Sequence, residues 1–208
     1  TLGLVALVIS SLLVMTVVTA LRLPLSLSQV MIGAGWGFAS ATGVQIGLVY
    51  SVEVVGSWIV SPAAAFVVSA VVENTVLRLG RRIRDVIALN RVYATLTLVA
   101  GFYAAYTLGA NTLGLIGGLF PVESADPLYL SLLFSSGTVL GIVVLSKGTV
   151  RSVADNLVGL SPSTALSAQF GGAVSAHLFT QLGMPVSISQ VVIGGMSGAA
   201  SVKEIAIT

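Results

Sequence analysis

The 208 residues are 56% hydrophobic and 8% charged, with nine basic and seven acidic side chains, a net charge of +2 and a mean hydropathy of +1.05. Soluble domains hold about 45–50% apolar and about 25% charged residues, so these few charges cannot clothe a water-facing body of this size, and a soluble globular fold is excluded. The bilayer remains as solvent, and the absence of cysteine rules out disulfides and thiolate metal sites.

A membrane-spanning helix needs about 20 apolar residues to cross roughly 30 Å of hydrocarbon. Six stretches qualify: 2–20, 45–60, 62–79, 92–109, 128–146 and 163–182. The first begins beside Thr1 with no basic segment or cleavage site ahead of it, and reads as a span and not as a signal peptide. The second is short and carries Glu53. Pro62 divides it from the third, as suits proline in the first turn of a new helix. Three further apolar stretches, 24–41, 110–120 and 185–201, are too short or too rich in Gly and Ser to be ordinary spans. They are expected to be re-entrant or broken helices, buried in protein or lining a watery cavity.

Basic residues gather at Arg78, Arg81, Arg82, Arg84 and Arg91, and again at Lys147 and Arg151. Positive charge near span ends sets orientation, so both clusters are expected on the cytoplasmic side, with contact to anionic lipid as an additional reading of the first. Asp155-Asn156 is expected in a solvated loop.

One internal repeat is plain. Pro24–Ser40 (PLSLSQVMIGAGWGFAS) aligns without gaps on Pro185–Ser201 (PVSISQVVIGGMSGAAS), with ten identities in seventeen positions at an offset of 161 residues. With the spans above, five crossings separate the copies, and an odd number makes them inverted. Inverted repeats with broken helices meeting near the midplane are the architecture of secondary transporters. That parity rests on 45–60 being a separate crossing.

P-x-S-x-S-Q at a helix start sets two hydroxyls and several unpaired N–H groups around one positive dipole end, which is an anion site. Two such termini approaching from opposite faces could grip a tetrahedral oxyanion without a full positive charge. The bland alternative is that these serines bond to neighbouring helices or to their own backbone. Gly33-x-x-x-Gly37 and Gly194-x-x-x-Gly198 are expected to serve close helix packing.

At these residues the chain resembles the inorganic phosphate transporter (PiT) family, sodium- or proton-coupled phosphate permeases with a twice-occurring G-x-P-V-S-T-T-H segment at hairpin tips. Leu182–Gln190 (LGMPVSISQ) is similar to that segment, and Leu21–Gln29 (LRLPLSLSQ) is a fainter copy. Gly148–Ala173 resembles the family's approach to the second hairpin, and Gly109-Ala110-Asn111 resembles the start of its other repeated signature, G-A-N-D-V-A-N. The resemblance implies a window of a longer protein, with a G-A-N-D segment before residue 1 and another helix pair after residue 208. It also implies a substrate site of Ser26, Ser28, Gln29, Asn111, Thr112, Ser187, Ser189 and Gln190, with Asn111 in reach of a cation. Thr112 and Leu115 stand where the family signature has its acid and second amide, and Gln29 and Gln190 stand where it has His. Sulfate carries no proton to donate, so the missing carboxylate suits it at least as well as phosphate.

Glu53 and Glu73 lie within apolar runs and are candidates for coupling to a proton or cation; an interfacial or structural role is the alternative. Gly195-Met196-Ser197-Gly198 matches a G-x-S-G protease pattern only weakly, because the sole histidine, His177, lies about twenty residues earlier on another helix. No Walker-type loop or basic-aromatic cluster points to ATP or nucleic acid.

The sequence therefore predicts an all-α, polytopic membrane protein of the cell membrane, with inverted repeats and re-entrant or broken helical hairpins. It is read as a single transmembrane transport domain over 1–208, in which 1–80 is the second part of repeat one and 92–208 the first part of repeat two. It is expected to be a phosphate symporter working by alternating access, and not an enzyme. A sulfate permease and a passive anion channel are the alternatives. The partners expected are an inorganic oxyanion, the bilayer, sodium or a proton as coupling ion and, as an open alternative, further copies in a homo-oligomer; no cofactor is expected.

Overall fold

The computed structural model describes residues 2–21, 26–118, 126–156 and 161–205, and among these every regular element is a helix. In chain order they are α1 (Leu2–Ala20), α2 (Leu27–Thr42), α3 (Leu48–Gly80), α4 (Val86–Gly117), α5 (Pro127–Asn156), α6 (Pro162–Gln181) and α7 (Ile188–Ile205). Three are long and apolar enough to cross a membrane: α3, α4 and the Pro127–Val144 part of α5. Their outer faces are apolar and open, with Leu48 and Val86 each 77% exposed, as a chain solvated by lipid tails requires.

Pro62 does not divide two spans. It lies inside the single 33-residue helix α3, which at 1.5 Å per residue is about 50 Å long and makes one crossing. Proline deprives a helix of one hydrogen bond, but membrane helices tolerate it where neighbouring side chains serve the freed carbonyls. The carbonyl freed is that of Trp58, four residues back; next to the proline, Ser175 Oγ of α6 donates to Ser61 O at 2.7 Å and ties this part of α3 to its neighbour. The expected break at 110–120 is likewise absent up to Gly117, where α4 runs on without interruption. Asp155-Asn156 belongs to the backbone of α5 and not to a loop; the side chains there, like those of Lys147 and Arg151, lie outside the described residues, as does Pro24.

The stretches 24–41 and 185–201 resolve into an extended tip followed by a regular helix. Ser26 is extended, with φ −91° and ψ 134°. α2 and α7 begin at Leu27 and Ile188, which are equivalent positions of the repeat. Their first bonds also correspond: Val30 N–H donates to Ser26 O at 3.1 Å, and Val191 N–H to Ser187 O at 3.0 Å. Pro185 stands before α7 and not in its first turn.

α3, α4, α6 and α7 form the packed body, while α2 lies mainly on α1. α3 packs against both α6 and α7, which also touch each other. Ala65, Ala176, Val186 and Val191 form the buried core, with Phe179 and Ile188 against it. Small residues let α7 and α3 touch along their backbones: a Cβ on Gly194 would strike Pro62 O, and one on Gly198 would strike Phe66 O. A Cβ on Gly33 or Gly37 would meet nothing within 4 Å. The packing expected of both glycine pairs therefore occurs in the second copy alone, because among the described residues no helix lies over that face of α2.

Candidate substrate site

The turn between α6 and α7 is built by local rules. Gly183 takes φ +71°, open to glycine without strain. Gly183 N–H then donates to Thr180 O at 3.0 Å and Met184 N–H to Phe179 O at 3.0 Å, the paired bonds that close a helix C-terminus. Trp58 of α3 donates its Nε1–H to Pro185 O at 2.8 Å and pins the tip to the body.

This fixed tip meets α2 and α4. Ser28 Oγ donates to Val186 O at 3.0 Å. Asn111, buried near the end of α4, donates from Nδ2 to the same carbonyl at 3.2 Å, and Val186 N–H donates back to Asn111 Oδ1 at 3.3 Å. Thr180 Oγ1 lies 3.4 Å from Asn111 Oδ1, and Asn111 Nδ2 lies 3.5 Å from Ser28 Oγ. Gln29 Nε2 and Gln190 Oε1 face each other at 3.5 Å. These last contacts are long, as weak ones are, but all of them converge on one spot.

Of the predicted residues, Ser28, Gln29, Asn111 and Gln190 are thus brought together. Ser26 and Ser187 are buried beside them, and the Ser187 hydroxyl is buried with no hydrogen-bond partner among the described residues. Ser189 and Thr112 are half-buried and take no part in this network among the described residues. Glu53 is exposed, and Glu73 is buried away from the tips. Beside the network a cavity of ≈ 430 Å³ is lined by Tyr50, Asn111, Thr180, Met184 and Pro185, among others. Sequence reasoning missed Trp58, Thr180 and Val186. His177 sits against the rings of Tyr103 and Tyr106, a packing environment that offers Ser197 no base.

Two helix N-termini, three serines, two glutamines and an asparagine therefore surround the meeting point, with no charged side chain in the network among the described residues. Such a set can hold an anion through neutral donors and helix dipoles. Residues 78–207 match the Phosphate transporter family. The chain belongs to that family. Phosphate transporter family members are transporters and not enzymes. The chain is 30% identical over 211 aligned residues to a protein of Methanocaldococcus jannaschii named as a candidate phosphate permease, covering 98% of this chain and 64% of the relative. Similar names are borne by a Chlamydia pneumoniae protein, 23% identical over 55% of this chain and 29% of its own length, and a Haemophilus influenzae protein, 24% identical over 57% and 31%. The chain thus spans less than two thirds of each relative. No solved structure matches it.

Proposed function

We propose that this chain forms the centre of a multi-pass cell-membrane permease that binds inorganic phosphate between two inverted hairpin tips and carries it by cation symport and alternating access. The observation that carries the reading is the Gln29–Gln190 contact. These are equivalent residues of the repeat, and a residue touches its own equivalent only beside the axis that relates the two copies. Three helices long enough to span, α3, α4 and α5, lie between the α1–α2 pair and the α6–α7 pair. If each pair is a hairpin that enters and leaves by one face, an odd number of crossings puts the two on opposite faces, with their tips meeting inside. The count replaces the five crossings of the sequence reading and keeps its parity.

Binding would use Ser26, Ser28, Ser187 and Ser189 as hydroxyl donors, Gln29 and Gln190 to orient the ion, and Asn111 with Thr112 to complete the shell. The free first-turn N–H groups of α2 and α7 would add donors. Neutral donors favour release as well as binding, which suits a carrier.

The test is uptake of radiolabelled phosphate by liposomes holding the full-length protein, with unlabelled sulfate as competitor and sodium and proton gradients imposed separately. Uptake that follows one cation gradient and resists sulfate is expected. Strong competition by sulfate would reassign the substrate, and flux indifferent to both gradients would make the protein a passive pore.

A further inference from the structure

Away from the tips, one face of α3 changes character along its length. Val67, Val71, Asn74, Arg78 and Arg81 follow one another at steps of three or four residues and so share one side of the helix. Val67 and Val71 are 59% and 60% exposed, as side chains solvated by lipid tails are. Asn74 and the two arginines, also exposed, end the row. From Val67 to Arg78 it runs about 16 Å at 1.5 Å per residue, close to the roughly 15 Å of hydrocarbon in one leaflet.

α7 turns this face into a cleft. The two helices run side by side in the same direction, since Gly194 backs onto Pro62 and Gly198 onto Phe66. One turn further on, Val202 of α7 joins Val71, Leu77, Asn74, Arg78 and Arg81 in lining a cleft of ≈ 560 Å³, a volume in the range of sites that hold small ligands, about 300–1,000 Å³.

The two guanidinium groups come to it uncompensated. Neither has an ion pair or a hydrogen bond among the described residues. Of the acids near them in sequence, Glu73 is fully buried, and its carboxylate accepts from Ser163, Thr164 and Ser167 of α6. Asp85 caps α4, accepting from Ile87 N–H. The side chains of Lys203 and Glu204 on α7 lie outside the described residues. Positive charge at a span end sets orientation, and Arg78 also suits the negative end of the α3 dipole. Either role is served by a charge anywhere around the helix end, and neither accounts for two unpaired guanidinium groups and an amide beside a cleft whose other wall is apolar.

We propose that the α3–α7 cleft binds an anionic phospholipid, with Arg78 and Arg81 on its phosphate, Asn74 as a further donor, and an acyl chain lying along Val71 and Val67. Guanidinium matches phosphate through paired N–H donors, and such charge-assisted bonds are stronger than neutral ones. Free inorganic phosphate would use the arginines alone. A phospholipid uses the whole face, its charge at the cationic end and its tail at the lipid-facing end. Bound there it would bridge α3 and α7, the helices that touch at Gly194 and Gly198. The proposal rests on the chain's lying in a membrane and not on the function proposed above.

The experiment is native mass spectrometry of the full-length protein extracted from vesicles of phosphatidylglycerol and phosphatidylcholine in equal amounts. One phosphatidylglycerol is expected to stay bound in preference to phosphatidylcholine. Arg78→Gln with Arg81→Gln should lower its retention by about tenfold or more, as loss of two interfacial arginines implies. Arg84→Gln with Arg91→Gln removes the same charge from the same basic cluster outside the cleft and should keep the lipid. Val202→Trp fills the cleft without altering charge and should expel it; if the Arg78, Arg81 variant does not fold, this variant decides. Equal retention of the two lipids, or equal loss in the two arginine pairs, would overturn the proposal in favour of diffuse surface charge. Retention of neither lipid would mean that the rest of the full-length chain fills the cleft. Displacement of the lipid by inorganic phosphate would make it a site for the free ion.

Discussion

Leaving a buried hydroxyl unpaired costs about 1–3 kcal/mol, yet the Ser187 hydroxyl is buried and has no hydrogen-bond partner among the described residues. An anion held there would supply the partner. Ser187→Ala is therefore expected to leave the unfolding temperature of the full-length protein unchanged or slightly raised, while phosphate uptake falls by about tenfold or more, as loss of about 1.4 kcal/mol of binding implies. Undiminished uptake would remove Ser187 from the site. Asn111 behaves oppositely, because it serves both the N–H and the C=O of Val186. Ser28 would still serve that carbonyl, so Asn111→Ala strands the buried Val186 N–H at about 1–3 kcal/mol, and stability and uptake should fall together. The duplicated P-x-S-x-S-Q makes Ser28, Gln29 and Gln190 legible in the sequence, and G-A-N marks Asn111. Val186 acts through main-chain atoms and Trp58 through a bond to the Pro185 carbonyl, and no side-chain pattern announces either.

Helices that touch along their backbones tolerate little change at the contact. α7 packs on α3 at Gly194 and Gly198, whereas the equivalent Gly33 and Gly37 of α2 have open space beside them. Gly198→Ala drives a methyl group into Phe66 O and is expected to cost about 1–3 kcal/mol, as overpacking does, seen as a lower unfolding temperature of the full-length protein in detergent. Loss of stability in Gly198→Ala without a loss in Gly194→Ala would mean that α7 can tilt away at one end. The sequence carries the small-residue spacing but not its partner, since both copies read G-x-x-x-G and only one of them meets a helix. The same limit explains Pro62. Its ring disfavours a helix locally, and what holds α3 helical there is tertiary: packing against α6 and α7, with a Ser175 hydroxyl of α6 bonded to Ser61 O beside the proline.

At the scale of the molecule, the inverted arrangement makes a geometric demand. If the tips meet inside the membrane and the hairpins enter from opposite faces, the far ends of α2 and α7 must emerge on opposite sides. Thr42 and Ser201 mark those ends, and these 208 residues contain no cysteine to confuse a label. In sealed vesicles of uniform orientation, a thiol reagent that cannot cross the bilayer should reach Thr42→Cys from one side only and Ser201→Cys from the other only. Labelling of both from the same side would mean that the copies are parallel, and the Gln29–Gln190 contact would then be a side-by-side meeting of helix ends. The distinction matters for mechanism, because alternating access by inverted repeats needs each copy to adopt, in turn, the arrangement of the other. Parallel hairpins would open to one face alone. Opposite labelling would make the tip network the barrier between the two aqueous sides, so that exposing Ser187 to either side would require Ser28, Asn111 and Val186 to part.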